Sequence, residues 1–349
     1  MTNIVLSGYY GSGNIGDEAV LAGILAGLRE AGLSARVTVI SADPERTIRE
    51  HAGVQAIPRM APCAITRALL RADLFLSGGG SLFQDVTSAR SPYYYLTVLR
   101  LAQILRRKTM IYAQGVGPLQ RPAIRAAIAK AFNRASAITV RDQDSSALLR
   151  EIGVTREAQV CADPSFLVEP DLDAADRIIS DAGLTGRDIV GIALRPWPGH
   201  DEWLADAARD ITALCAEIGA QPAFIPMQEP DDAVFGDASA TLRHGGDPRV
   251  AKGLIARCRM IVGMRLHALI FAAAAGVPFV PIAYDPKVSS FAADAGASRV
   301  ELGDSTALAG TIRTTWQDRE ALARKLASRS AEFRESAMLP ARIAANLLT

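Results

Sequence analysis

The chain has 349 residues, 49% hydrophobic and 21% charged, with a formal net charge of +1; it is long enough for two domains with a core each, and its balance gives no support to a nucleic-acid partner. It opens Met1-Thr2-Asn3-Ile4-Val5-Leu6 without a basic leader, and its longest uncharged run, residues 268–284, contains Gly276, Pro278 and Pro281, so neither a signal peptide nor the roughly 20-residue apolar span of a membrane helix is expected. Cys63, Cys161, Cys215 and Cys258 lie far apart without metal-ligand spacing, which predicts reduced thiols, a cytoplasmic setting and no metal site.

Short β-rich runs alternate with helix-length segments, the pattern of parallel sheets covered by helices on both faces. The first half predicts strands at 3–7, 36–40, 74–77, 109–113 and 138–140, with helices starting near Asp17, Pro92, Pro122 and Asp142. The second half predicts strands at 189–194, 221–225, 260–263 and 279–282, with helices starting near Asp201, Asp231, Pro248, Leu266 and Ser289. The expected fold class is α/β, two Rossmann-like domains whose parallel sheets face a cleft. The domains are expected at 1–168 and 185–315, separated around 165–187. A helical tail over 316–349, interrupted by Pro340, is expected to pack back on the first domain.

Glycine-rich loops follow several strands of the first half. Gly11-Ser12-Gly13-Asn14-Ile15-Gly16 matches the dinucleotide pattern GxGxxG, and Asp43 could serve as its ribose acid. Three details weigh against that reading. The glycines begin late after the strand, Asp43 lies too far along, and Asp17 and Glu18 would compete with a pyrophosphate for the helix start. Asp17 reads either as a helix cap or as a substrate-facing carboxylate. Gly78-Gly79-Gly80-Ser81 permits close backbone approach to a ligand and forms a candidate anion nest. Beyond it, Gln84 and Asp85 have the chemistry to bind sugar hydroxyls, and Tyr93-Tyr94-Tyr95 is either core or a stacking face. Gln114-Gly115-Val116-Gly117-Pro118 and Arg141-Asp142 close two more strands.

The second half concentrates cations at strand ends. Arg195 lies between Leu194 and a proline pair, Pro196 and Pro198, that stops further strand or helix. Gln228 and Asp231 follow the next strand as polar candidates. Arg265 and His267 straddle a helix start, and Lys287 follows Asp285-Pro286 on a turn. If the runs before them are neighbouring parallel strands, these side chains gather at one carboxyl edge, where open α/β sheets bind ligands. Two fixed cations, Arg265 and Lys287, and a histidine suit a small, multiply charged anion that is protonated during reaction. A bound dianion would raise the histidine pKa and make it a general acid. His51, His200 and His244 show no comparable context.

The ordered set Gly8-Tyr9-Tyr10-Gly11, Gly13-Asn14-Ile15-Gly16-Asp17-Glu18, Gly78-Gly79-Gly80-Ser81-Leu82-Phe83-Gln84-Asp85, Ala113-Gln114-Gly115-Val116-Gly117-Pro118, Val140-Arg141-Asp142, Ala162-Asp163-Pro164, Arg265-Leu266-His267-Ala268-Leu269 and Tyr284-Asp285-Pro286-Lys287 resembles the polysaccharide pyruvyltransferase family, in particular its bacterial cell-wall branch, CsaB. The resemblance covers about residues 3–295. It implies a fold of glycosyltransferase GT-B type and transfer of the enolpyruvyl group of phosphoenolpyruvate to a sugar as a 4,6-ketal. The implied acceptor is N-acetylmannosamine in a lipid-linked wall-polymer precursor. By motif position Arg265, Leu266, His267 and Lys287, with Arg195, would hold phosphoenolpyruvate, His267 donating the proton. Asn14, Gly16, Gly79, Gly80, Gln84, Asp85, Gln114 and Arg141 would face the acceptor, with Asp17 as its base. Phosphoenolpyruvate is then a co-substrate and no cofactor is expected. The expected location is the cytoplasm or the inner face of its membrane, with peripheral membrane contact and a homo-oligomer both compatible with the sequence. A nucleotide-sugar glycosyltransferase on the same fold is the alternative reading, and a sugar-binding protein without turnover a third.

Overall fold

The computed structural model describes residues 2–86, 90–229, 231–235 and 240–349. The chain divides into two compact units. One comprises Met1–Ser12, Asp17–Leu167 and Glu335–Thr349; the other comprises Gly13–Gly16 and Val168–Arg334.

The first unit holds β1 (Thr2–Tyr10), β2 (Ala35–Ser41), β3 (Gln55–Pro58), β4 (Leu74–Gly78), β5 (Lys108–Gln114), β6 (Ala137–Val140) and β7 (Ala158–Val160). They form one sheet in the order β3-β2-β1-β4-β5-β6-β7, with every pairing parallel. Between them run α1 (Ile15–Glu30), α2 (Pro44–Glu50), α3 (Pro62–Arg71), α4 (Arg90–Ile104), α5 (Pro122–Phe132) and α6 (Gln143–Glu151). Parallel pairing buries both faces of a sheet, and the five residues of β4 are all buried. One face packs against α3, α4 and α5 through Leu69, Leu99 and Ile128. The other packs against α1 through Val20 and Ile24, together with Ala341 and Ala344 of the C-terminal segment.

The second unit repeats the scheme with β8 (Ile189–Ala193), β9 (Gln221–Phe224), β10 (Ala240–Thr241), β11 (Met260–Gly263), β12 (Phe279–Ala283) and β13 (Val300–Glu301). Their order is β10-β9-β8-β11-β12-β13, again all parallel. The helices are α7 (Leu172–Asp181), α8 (Asp201–Glu217), α9 (Pro248–Ala256), α10 (Leu266–Ala275), α11 (Pro286–Ala295), α12 (Ser305–Gln317) and α13 (Arg319–Leu348). In each sheet the strand order reverses between the first strand and the fourth, at β1/β4 and β8/β11, and a crevice opens at such a point beyond the strand ends.

The tail differs from expectation. Pro340 does not interrupt it, and α13 runs through that position unbroken. A proline removes one amide donor from a helix and crowds the carbonyl one turn back. Here Ala337, Ala341 and Ala344 are fully buried on the turns around it, so packing holds the helix through the defect. Residues 335–349 go with the first unit and the start of α13 with the second. Lys287 also lies in the first turn of α11, capped by Asp285, rather than on a free turn. Three cysteines are buried, and Cys63, on α3, is exposed.

Candidate active site

In the second unit β11 pairs with β8 from Met260↔Val190 to Gly263↔Ala193 and with β12 up to Gly263↔Pro281. Arg195, His267 and Lys287 therefore follow the carboxyl ends of three adjacent parallel strands. Arg195 is half-buried, and its guanidinium lies over two rings, 5.3 Å from the centroid of Trp197 and 5.4 Å from that of Tyr284. Its Nη1 donates to the Tyr284 hydroxyl (3.4 Å). The Lys287 ammonium is 5.9 Å from the same Tyr284 ring and 3.2 Å from Asp285. Trp197 and Tyr284 meet edge to face at 4.7 Å. Two cations thus share one aromatic platform, whose negative ring faces steady them. Sequence reasoning quoted Tyr284 as part of a motif without seeing this role.

Arg265 is held by the protein's own groups. It is buried, and its Nε and Nη2 grip both carboxylate oxygens of Asp232, the Nε contact being 2.9 Å. Its Nη1 donates to Gln228 Oε1 (3.2 Å), which also accepts from Asn14 Nδ2 (3.2 Å). Asp232 accepts further from the Met227 and Gln228 amides. The guanidinium fork is thus committed inside the protein, and its charge is compensated. Asn14 belongs to this network and donates to Gln228; its Oδ1 accepts from the Gly16 amide (2.9 Å) and caps α1. That leaves Asp17 inside the first turn rather than at the cap.

His267 is the one polar residue of α10, an otherwise apolar helix ended by Gly276 in the left-handed conformation. It is half-buried in the first turn, and a methyl group on Gly16 would lie 2.1 Å from its Nδ1. Gly16 is required for that close approach. Leu266 is buried, its side chain part of the packing of α10.

In the first unit Asp17 lies against the glycine loop, where a methyl on Gly80 would sit 2.4 Å from Oδ1. Burial first, then the Asp17 charge, push the Tyr10 and Tyr95 phenols above their usual range. Both stay protonated at neutral pH, and Tyr10 donates to the Gly78 carbonyl (2.7 Å). Gly79 and Gly80 have φ of +105° and +51°, and their carbonyls accept from Gln114 Nε2 at 3.2 and 2.6 Å.

The residues expected to face the acceptor are placed as follows. Gln114 is fully buried and clamps the glycine loop from within. Asp85 is buried, with its two oxygens accepting from the Gln120 and Arg121 amides, each at 2.8 Å; it braces the 118–121 loop. Arg141 has a side chain only 7% exposed, donates to Ser81 Oγ (2.8 Å) and lies 3.5 Å from Asp163; it orients the loop. Gln84 accepts from the Val86 amide in a local turn. Tyr94 and Tyr95 join the core and Tyr93 is exposed. Asp43 caps α2 through the Arg46 amide, which removes the ribose acid a dinucleotide site would need.

Sequence reasoning missed Asp232, the pairing of Asp163 with Arg141 and the environment of two histidines. A buried arginine at a strand end needs a carboxylate, and that was the available signal for Asp232. His51 Nε2 lies 3.4 Å from Glu18, whose other oxygen accepts from the Gly11 amide (2.8 Å). Glu18, Glu50 and His51 bring ligand atoms within 4.8 Å of one another, but Glu50 also pairs with Arg46 at 2.7 Å. His244 holds the Pro226 carbonyl through Nε2 (2.6 Å) and accepts from the Gly246 amide at Nδ1. That is the neutral tautomer, and burial lowers its pKa.

A family model described as polysaccharide pyruvyl transferase matches residues 14–286. The chain belongs to that family. The matched span begins at Asn14 and takes in Arg195, Arg265 and His267; Lys287 follows it directly. As a polysaccharide pyruvyl transferase the chain is a transferase enzyme. No curated protein matches it significantly in sequence. Its fold is similar to that of HepE from Anabaena in complex with UDP-glucose, at TM-score 0.65 and 14% identity over 99% of both chains. It is also similar to UDP-GlcNAc 2-epimerase from Neisseria meningitidis bound to UDP-GlcNAc, at TM-score 0.61 and 12% identity over 100% of both. The wall teichoic acid polymerase TagF gives TM-score 0.63 and 13% identity, covering 99% of this chain and 88% of that one. These likenesses establish a fold of GT-B type and leave the substrate open.

Proposed function

We propose that this transferase moves the enolpyruvyl group of phosphoenolpyruvate onto a sugar hydroxyl pair, releasing phosphate and leaving a 4,6-pyruvate ketal. The proposed acceptor is N-acetylmannosamine in a lipid-linked cell-wall polysaccharide precursor, used in the cytoplasm or at the inner face of its membrane. No helix among the described residues is long and apolar enough to cross a membrane. The observation that carries the reading is the pair of cations on the Tyr284 ring, with a histidine on the neighbouring strand end.

Phosphoenolpyruvate carries a phosphate and a carboxylate. Arg195 binds one of them bidentately and Lys287 serves as a point charge. His267 protonates the methylene carbon, and the C2 centre, now oxocarbenium-like, takes up the first sugar hydroxyl while Asp17 accepts its proton. The second hydroxyl then displaces phosphate and closes the ketal. Arg265, the residue before α10, acts from behind by tying Asp232 and Gln228 to that helix start. The acceptor side is assigned to the glycine loop and Asp17, with Gln114 and Arg141 shaping that loop.

The test is to incubate the protein with an N-acetylmannosaminyl lipid and either phosphoenolpyruvate or a series of UDP-sugars, following phosphate release and product mass. Ketal product with phosphoenolpyruvate supports the reading. Turnover with UDP-sugars alone would make this chain a glycosyltransferase, and saturable sugar binding without turnover a binding protein.

A further inference from the structure

The near-zero net charge conceals a segregated one. Residues 51–141 contain 13 Lys/Arg and only 2 Asp/Glu, against 25 and 35 over the rest of the chain. Of those two acids, Asp85 is buried on backbone amides and Asp73 binds the Asn3 amide. The helices within this stretch, α3, α4 and α5, contain no acidic residue, and all three pack on the same face of the first sheet.

Their outward residues set the character of that face. Arg67, Arg71, Arg100, Arg106, Lys130 and Arg134 are exposed, and among the described residues none of these six enters an ion pair. Large apolar side chains stand out among them: Met60 is 79% exposed, Ile104 73% and Leu70 55%. Arg107 Nη1 donates to the Ala72 carbonyl (3.3 Å), which ties the end of α3 to the end of α4. Beside this junction a recess of about 540 Å³ is lined by Arg106, Arg107, Lys108 and Asp73.

We propose that the α3–α4–α5 face docks the enzyme on an anionic phospholipid bilayer. Unpaired cations at this density repel one another in water and gain from a negatively charged surface. The protruding Met60, Leu70 and Ile104 gain from entering the headgroup boundary, as the apolar face of an interfacial helix does. A nucleic acid would match the charge but not the exposed aliphatic side chains. The inference stands on the charge pattern together with the exposed aliphatic side chains and is independent of the donor and acceptor proposed above.

The experiment is co-sedimentation of the full chain with vesicles of phosphatidylcholine alone or mixed with phosphatidylglycerol. The protein is expected to pellet with the mixed vesicles and not the neutral ones, less so at high salt. Arg67→Glu/Arg71→Glu/Arg106→Glu should lower partitioning by roughly tenfold or more, with thermal stability and turnover on a soluble acceptor unchanged. A second variant, Met60→Ser/Ile104→Ser, should weaken binding while keeping its salt dependence. Equal binding to neutral vesicles, wild-type binding by the triple variant, or binding to duplex DNA in preference to the mixed vesicles would each overturn the proposal.

Discussion

Removing one partner of a buried ion pair strands the other charge, at a cost of about 3–5 kcal/mol, and Arg265 and Asp232 are both buried and doubly bonded. Asp232→Ala should therefore lower stability by that order in a denaturant titration. The paired replacement Arg265→Met/Asp232→Leu should cost much less; if both cost the same, the pair is not the source. His267 gives the complementary case: His267→Ala should leave stability near normal and cut turnover by roughly 10²-fold or more, measured as kcat with phosphoenolpyruvate. Normal turnover would leave the histidine a packing role against Gly16. Arg265 was conspicuous in the sequence but its commitment was not, because its partner lies 33 residues away on another loop. Residue type reveals capacity for charge; only the contacts reveal whether that capacity is already in use.

A helix position normally prefers alanine to glycine by about 1 kcal/mol, so Gly16→Ala in the first turn of α1 ought to stabilise. The His267 ring reverses that expectation, since the new methyl would collide with Nδ1. The variant should lose stability and activity, and the stability loss should largely vanish when His267→Ala is added, a coupling read from a double-mutant cycle. Additive losses would place the clash elsewhere. At this scale the sequence was uneven. Long periodic elements such as α1, α8 and β1 were legible, because apolar spacing alone specifies them. The short α2, α3, β3, β7, β10 and β13 were not, being two to ten residues long and held by their neighbours rather than by local pattern. Glycine loops were visible as composition, but which carbonyls Gln114 would clamp depended on the pairing of β4 with β5.

His244 links the second unit to solution pH. Burial holds its pKa below the ordinary 6.5, so the unfolded chain binds the proton more readily. The stability that the neutral ring contributes is fully present above that value and is lost as pH falls from it towards the lower folded pKa. Melting temperature should thus drop more steeply below about pH 6.5 for the native chain than for His244→Gln, which should start lower but decline less. Parallel curves would show that other groups govern the acid limb. Parallel sheets and two units are set by alternation over the whole chain and were readable from it, whereas strand order came only with the pairing; the charged face is not a property of any single window, and the total of +1 hid it. The exposed thiol of Cys63, at the start of α3 near Met60, has a practical consequence. Protein kept without reductant will cross-link through this one sulfur, pairing two copies across the very surface that α3 presents. A covalent dimer on a non-reducing gel would then be a product of storage. The same thiol, fresh, gives a single attachment point for a dye that reports whether that surface has left water.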